Sequence, residues 1–166
     1  MSALADSGAT FRWQQEYAIG DAQIDAQHEE LFELARLLEA SLRQNKSSSV
    51  IQPALSAIPL LVHVHFRDEE AFFERIGSPL LTQHKALHVR IAEEALWLTN
   101  ALRQQPPAIA AVRLLDWLET QLLVHIVNAD RIAVATAHRQ DDAEVSERQG
   151  GARKGRVDFS RDRDGG

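Results

Sequence analysis

The chain has 166 residues, about one domain, of which 45% are hydrophobic and 25% charged, enough apolar material for a single core. Cysteine is absent, which excludes disulfides, thiolate metal sites, iron–sulfur clusters and a cysteine nucleophile, and the formal charge of −6 argues against a nucleic-acid partner. No uninterrupted apolar run approaches the ~18 residues of a membrane span, and the N-terminus lacks a basic segment followed by an apolar block, so the expectation is a cytoplasmic protein with no membrane partner.

Residues 1–20 have no helical periodicity but carry Phe11, Trp13 and Tyr17, and they read as an extended arm packed on the domain. Residues 21–138 contain four segments of helical period. The first runs from about 21 to 45 with the stripe Ile24, His28, Leu31, Ala35, Leu38, Leu42. A polar turn over 45–49 leads to the second, about 50 to 75, with Ile58, Leu61, His65, Glu69, Phe72 and Ile76 in line. Pro59 lies inside it and is expected to kink it. Gly77 is placed to end that helix in the left-handed conformation, with Ser78 as the cap and Pro79 in the first turn of the next. The third segment, about 79 to 104, carries Leu81, His84, His88, Ile91, Ala95, Leu98 and Leu102. Pro106 and Pro107 separate it from the fourth, about 107 to 137, with Val112, Leu115, Leu118, Leu122, His125 and Ile132. The connections are short, so consecutive helices are expected to pack antiparallel: an all-α, up-down-up-down four-helix bundle. Residues 139–166 hold seven basic and seven acidic residues and five of the eight glycines. Such a segment buries too little apolar area to offset its ordering entropy and is expected to be disordered.

Six polar residues, His28, His65, Glu69, His84, His88 and His125, fall on the stripes that face the core. His65 with Glu69, and His84 with His88, are four apart and share a helix face. His125 and Asp130 are five apart, roughly 140° on an ideal helix. Either a local widening of the helix brings them together, or they approach one site from different sides. A lone histidine on a helix is usually structural, but here four successive helices each aim nitrogen or carboxylate groups inward. Burying them unpaired costs several kcal/mol each, and metal ions are the simplest agent that compensates all of them. His63 is about 200° around the helix from His65 and is expected to face outward. His138 lies where the last helix is expected to give way to the tail.

These residues fall in a recognisable order: Phe11 and Trp13 of the arm; Ile24, Asp25, Gln27, His28, Leu31 and Phe32; His65, Phe66, Glu69 and Glu70; His84 and His88; His125, Ile126 and Asp130. In this the chain resembles the hemerythrin family, in particular its single-domain bacterial members, from Phe11 to about Ala137. The resemblance implies two iron ions joined by a bridging oxo or hydroxo group. His84, His88 and His125 would bind one iron and His28 and His65 the other, with Glu69 and Asp130 bridging them. The first iron then has six donors and the second five, leaving one position for dioxygen. The implied function is reversible dioxygen binding for storage, carriage or delivery, without catalytic turnover; the apolar surface left after the core is filled is modest, so a monomer is expected. An oxygen or redox sensor module, or a diiron enzyme acting on nitric oxide or peroxide, are the alternatives. Leu31, Phe66, Leu122 and Ile126, each about one turn from a ligand, are expected to wall the open position. Gln121 stands where the family usually has an aromatic residue, and Ala133 where a second one is common. The expectation is that Gln121 brings a polar amide near the dioxygen site and Ala133 leaves extra space.

Overall fold

In the computed structural model, which describes residues 12–154, the chain is all-α, with side chains described for 12–146. An irregular arm with one 3-10 turn at Gln15–Tyr17 precedes α1 (Ala22–Arg43), α2 (Ser47–Arg75) and α3 (Leu81–Leu102). The fourth rod begins as α4 (Pro107–Trp117), passes through a π-helical turn at Leu118–Leu122, the single turn α5 (Leu123–His125) and a second π-helical turn at Ile126–Asp130, and continues as α6 (Arg131–Lys154). α2 packs on α1 and α3, and α4 closes the ring against α1, α2 and α3, giving the expected four-helix bundle.

The arm is held by side chains of α1. Asp25 accepts hydrogen bonds from the backbone N–H groups of Ile19 (2.8 Å) and Gly20 (3.3 Å). Trp13 packs edge-on against Phe32 at 5.7 Å, and Tyr17 stacks on Phe32 at 5.5 Å. Phe11, the other aromatic residue assigned to the arm, lies outside the described residues. Asp21 caps α1 by accepting from the N–H groups of Gln23 and Ile24, and Arg75 at the end of α2 bonds the same carboxylate at 3.0 Å.

The first two interhelical turns share one geometry. Gly77 has φ +63°, the Ser78 N–H reaches the Phe73 carbonyl at 2.9 Å and the Gly77 N–H reaches Glu74 at 3.1 Å, the paired bonds of a Schellman cap. Asn45, at φ 54°, closes α1 in the same way, with Lys46 N–H to Ser41 O at 2.8 Å and Asn45 N–H to Leu42 O at 3.2 Å. Ser78 does not cap α3 as its sequence position suggests. It is buried, and its hydroxyl donates to the Ala133 carbonyl at 3.0 Å, tying this turn to α6. α2 starts at Ser47, inside the span expected to be a turn, and runs unbroken through Pro53 and Pro59. By mean hydropathy and length α2 is apolar enough to cross a membrane, which a count of uninterrupted apolar residues does not register. Its buried residues Ile51, Leu55, Ile58, Val62 and Phe66 form part of the bundle core.

The expected stripes of α1 and α3 are buried almost throughout, with Leu42 and Leu81 half-buried. The fourth rod departs from expectation. Val112 and Ile132 are 54% and 55% exposed, while Ala111, Leu114, Trp117, Ile126 and Ala133 are buried. Two π-helical turns explain the shift beyond Leu118, because each accommodates an extra residue and rotates the rest of the rod about its axis. The last helix runs past 138 to Lys154, and His138 sits within α6. Residues 139–146 are all exposed, so this stretch rests on local helix propagation and not on a core. Residues 155–166 of the expected tail lie outside the described residues.

No atom lies within 4 Å of a Cβ added at Gly77, so Gly77→Ala tests backbone conformation alone. It is expected to destabilise the bundle by about 1 kcal/mol. Asn45→Gly, which relieves the same strain, is expected to stabilise it by a few tenths of a kcal/mol. Denaturant midpoints measured at constant m-value check both signs.

Candidate metal centre

The polar cluster divides the core. Toward one end, Leu31, Phe32, Phe66, Ile91, Leu122 and Ile126 belong to a large apolar cluster; toward the other, Ile24, Phe72, Phe73, Ala133 and Val134 form a smaller one. Between them, His28, His65, Glu69, His84, His88, His125 and Asp130 are all buried, none more than 6% exposed. The helical period places each of them between residues of the two clusters on its own helix. His63, in contrast, faces outward as expected.

The seven residues fall into two overlapping groups, in each of which one ligand atom per residue lies within 4.8 Å of every other. Glu69, His84, His88, His125 and Asp130 form one; His28, His65, Glu69 and Asp130 form the other. The carboxylates belong to both because each aims its two oxygens in different directions. Glu69 Oε2 is 3.2 Å from His84 Nε2 and 3.0 Å from His88 Nε2, while Oε1 is 3.6 Å from His28 Nε2. Asp130 Oδ1 is 3.0 Å from both His84 Nε2 and His125 Nε2, while Oδ2 is 3.4 Å from His28 Nε2. The contact between His125 and Asp130 decides between the two routes open to residues five apart. Ile126–Asp130 is a π-helical turn, and the widened spiral puts both side chains on one face.

His88 and His125 point their Nε2 atoms at each other across 3.0 Å. Among the described residues, His28 Nδ1 and Nε2, His65 Nε2, Glu69 Oε1 and both Asp130 oxygens have no hydrogen-bond partner although they are buried. Converging, unpartnered donors of nitrogen and carboxylate type are what a pair of cations would satisfy. The electrostatics differ from ring to ring. Burial pushes His65 down to about 4, against the pull of Glu69, so its ring is neutral, the form that binds metal. Burial also opposes charge on His84, but the carboxylates of Asp130 and Glu69, at 3.0 and 3.2 Å, outweigh it and raise it to about 9. Burial opposes the charge on Glu69 too, yet His28, His84 and His88 hold it well below the usual carboxylate range.

A ring of supporting contacts fixes the imidazoles, and the sequence alone assigns Gln27, Asp68 and Glu70 no role in it. The His65 Nδ1–H donates to Gln27 Oε1 at 3.1 Å, and Gln27 Nε2 in turn donates to Asp68 at 2.9 Å. The His88 Nδ1–H donates to Glu70 Oε1 at 2.9 Å. These bonds leave the Nε2 lone pairs of His65 and His88 directed inward. Phe66 stacks on His88 at 3.8 Å and 3°, and Phe73 meets His84 edge-on at 4.6 Å. The signal for Gln27 and Glu70 in the sequence is their adjacency to His28 and Glu69, but adjacency does not say which imidazole on a neighbouring helix each one meets.

The apolar residues expected to wall the site, Leu31, Phe66, Leu122 and Ile126, are buried in the larger core cluster. Gln121 is only half-buried, in the first π-helical turn, and no polar contact joins it to the seven residues. Trp117, four residues earlier, is 8% exposed, and its indole N–H has no partner among the described residues. Ala133 is fully buried against the smaller cluster.

Gln27→Leu and Glu70→Leu each remove one support without touching the inward-facing atoms. Each is expected to lower metal affinity by roughly 10–100-fold while leaving the helical content unchanged. Equilibrium metal titration followed alongside circular dichroism checks this.

Comparison with known proteins agrees with this geometry. The family model described as "Hemerythrin HHE cation binding domain" matches residues 20–137, the arm's end and the whole bundle. A bacteriohemerythrin of Campylobacter jejuni subsp. jejuni serotype O:23/36 (strain 81-176) is 32% identical over 71 residues, 43% of this chain and 53% of that protein. Hemerythrin-like proteins of Naegleria gruberi and Naegleria fowleri are each 32% identical over 88 residues, 53% of this chain and 68% of each relative. The match therefore spans about half the length of the bacterial relative. The buried cluster is a candidate metal centre of a cation-binding domain, and the chain belongs to the hemerythrin family.

Proposed function

We propose that the chain is a non-heme diiron protein that binds dioxygen reversibly, without turnover. The observation that carries this reading is the asymmetry of the buried cluster. Two carboxylates are shared, each with oxygens facing both ways, while three imidazoles serve one side and two serve the other. His84, His88 and His125 would hold one iron, His28 and His65 the second, and Glu69 and Asp130 both. The side with two imidazoles is one donor short and is the place for an exogenous ligand. Two iron ions, when bound there, supply the reversible two-electron chemistry that dioxygen binding requires.

The chain's own residues account for retention rather than activation. Five of the seven side chains are neutral imidazoles, and the ferritin-like alternative of four glutamates and two histidines is not present in this cluster. Leu31, Phe66, Leu122 and Ile126 offer hydrocarbon and no proton at the edge of the site, which slows the entry of water and protons. The name bacteriohemerythrin borne by one relative, and the family's description as cation binding, support the same reading.

The decisive experiment is an anaerobic-to-aerobic absorption titration with iron quantified. The expected result is two irons per chain and a dioxygen-dependent band that disappears on deoxygenation; a folded, metal-free protein sinks the proposal. His88→Ala is expected to lower iron affinity by roughly a hundredfold or more, beyond the loss from removing an outer support. Gln121→Trp tests the polar amide on the fourth rod: autoxidation should slow several-fold in stopped flow, and equal rates would remove Gln121 from the account.

A further inference from the structure

Among the described residues, cavities reach the buried cluster from the surface on opposite sides of α2. The larger, about 300 Å³, lies between α2 and α3 and is lined by His63, Phe66, Arg67, Glu70, His88, Val89 and Ala92. The smaller, about 80 Å³, lies between α1 and α2 and is lined by Gln27, Glu30, Leu31, Leu61, Val64 and His65. They differ in which half of the cluster they touch. The larger meets His88, which belongs to the group with three imidazoles. One face of that ring is covered by Phe66 at 3.8 Å, and its outer nitrogen is engaged by Glu70. The smaller meets His65, whose outer nitrogen is likewise engaged, by Gln27, but which is one of the two imidazoles on the side that is a donor short and, among the described residues, has no aromatic ring stacked face to face on it.

Size and lining narrow what the smaller cavity admits. A water molecule occupies about 30 Å³ of liquid, so a space of about 80 Å³ suits a diatomic molecule and not a substrate of any length. Leu31, Leu61 and Val64 give it hydrocarbon walls; Glu30, on the exposed surface of α1, puts a negative charge beside it. Hydrocarbon walls favour an apolar gas over a hydrated ion, and the carboxylate disfavours anions.

We infer that the α1–α2 cavity is the entry route and transient docking site for dioxygen on its way to the His28/His65 side, and that Leu31, Leu61 and Val64 set its rate. The inference rests on the dioxygen-binding reading. It assigns the larger α2–α3 cavity no part in gas entry, although that cavity offers more room.

A route and a structural role separate by kinetics. On a route, a plug slows association and dissociation together and leaves affinity unchanged. Stopped-flow mixing with the iron-loaded full chain is expected to show Leu61→Trp slowing both rates tenfold or more, with iron content and absorption band preserved. Val89→Trp, which fills the larger cavity, is expected to stay within twofold of wild type. Should Leu61→Trp not fold, Val64→Phe is the second plug. Wild-type rates in a folded plug variant overturn the route, as does a drop in rates confined to Val89→Trp. Crystals of the full chain pressurised with xenon give a readout that needs no dioxygen chemistry. Xenon between Leu31, Leu61 and Val64, absent from Leu61→Trp, supports the site; a cavity that takes no xenon overturns it. A wild-type chain that holds iron but shows no reversible band overturns the function reading instead, and the xenon result then still decides whether the cavity holds a gas.

Discussion

Five imidazoles and two carboxylates sit in the middle of an apolar bundle with their polar atoms turned toward one another and away from water. That placement carries a large desolvation cost, since a buried polar group without a partner costs several kcal/mol and an ionised carboxylate more. Six buried atoms of this cluster have no partner among the described residues. The side chains are therefore mutually dependent. His84 keeps its proton only because Asp130 and Glu69 face it, and Glu69 keeps its charge only because three imidazoles surround it. Cations relieve the whole set at once, and the bundle is arranged so that every helix brings its contribution to the same level.

That arrangement has a cost in packing, because a polar layer interrupts the core. The apolar residues separate into a large cluster on one side and a small one on the other. The small one is reinforced by hydrogen bonds where its area is limited. Ser78 joins the α2–α3 turn to the α6 backbone, and Arg75 joins the end of α2 to the start of α1. Similar contacts secure the arm, whose backbone donors are taken up by Asp25. The aromatic rings around the cluster contribute differently. Phe66 and Phe73 pack on imidazoles of the cluster and restrict their rotation, so the hydrogen bonds that His65 and His88 donate to Gln27 and Glu70 come from rings that are already confined.

The α1–α2 and α2–α3 faces make the asymmetry of the centre visible at the surface. One face ends on an imidazole that is stacked and hydrogen-bonded within the fuller half; the other ends on an imidazole of the emptier half, behind three aliphatic side chains. The larger cavity therefore meets the half with more donors and the smaller one the half with fewer.

The sequence by itself determined the helical class, the order of the four rods, and the identity of the seven inward residues. Spacing of three and four is a direct consequence of 3.6 residues per turn, and charged or imidazole groups on such a stripe have few explanations. It determined the end of α2 as well, because only a left-handed residue such as Gly77 permits that cap. Local information failed where the answer depended on another helix. The pairing of Gln27 with His65 and of Glu70 with His88 crosses between rods. So does the hydroxyl of Ser78, which satisfies a carbonyl of α6 and not the next helix's N-terminus. The register of the fourth rod could not be read either. A regular period misplaces Ile132, and the distance between His125 and Asp130 leaves two geometries open. Only the folded bundle, by drawing both side chains to one buried centre, selects the widened π-helical turn that makes five residues equal to one turn.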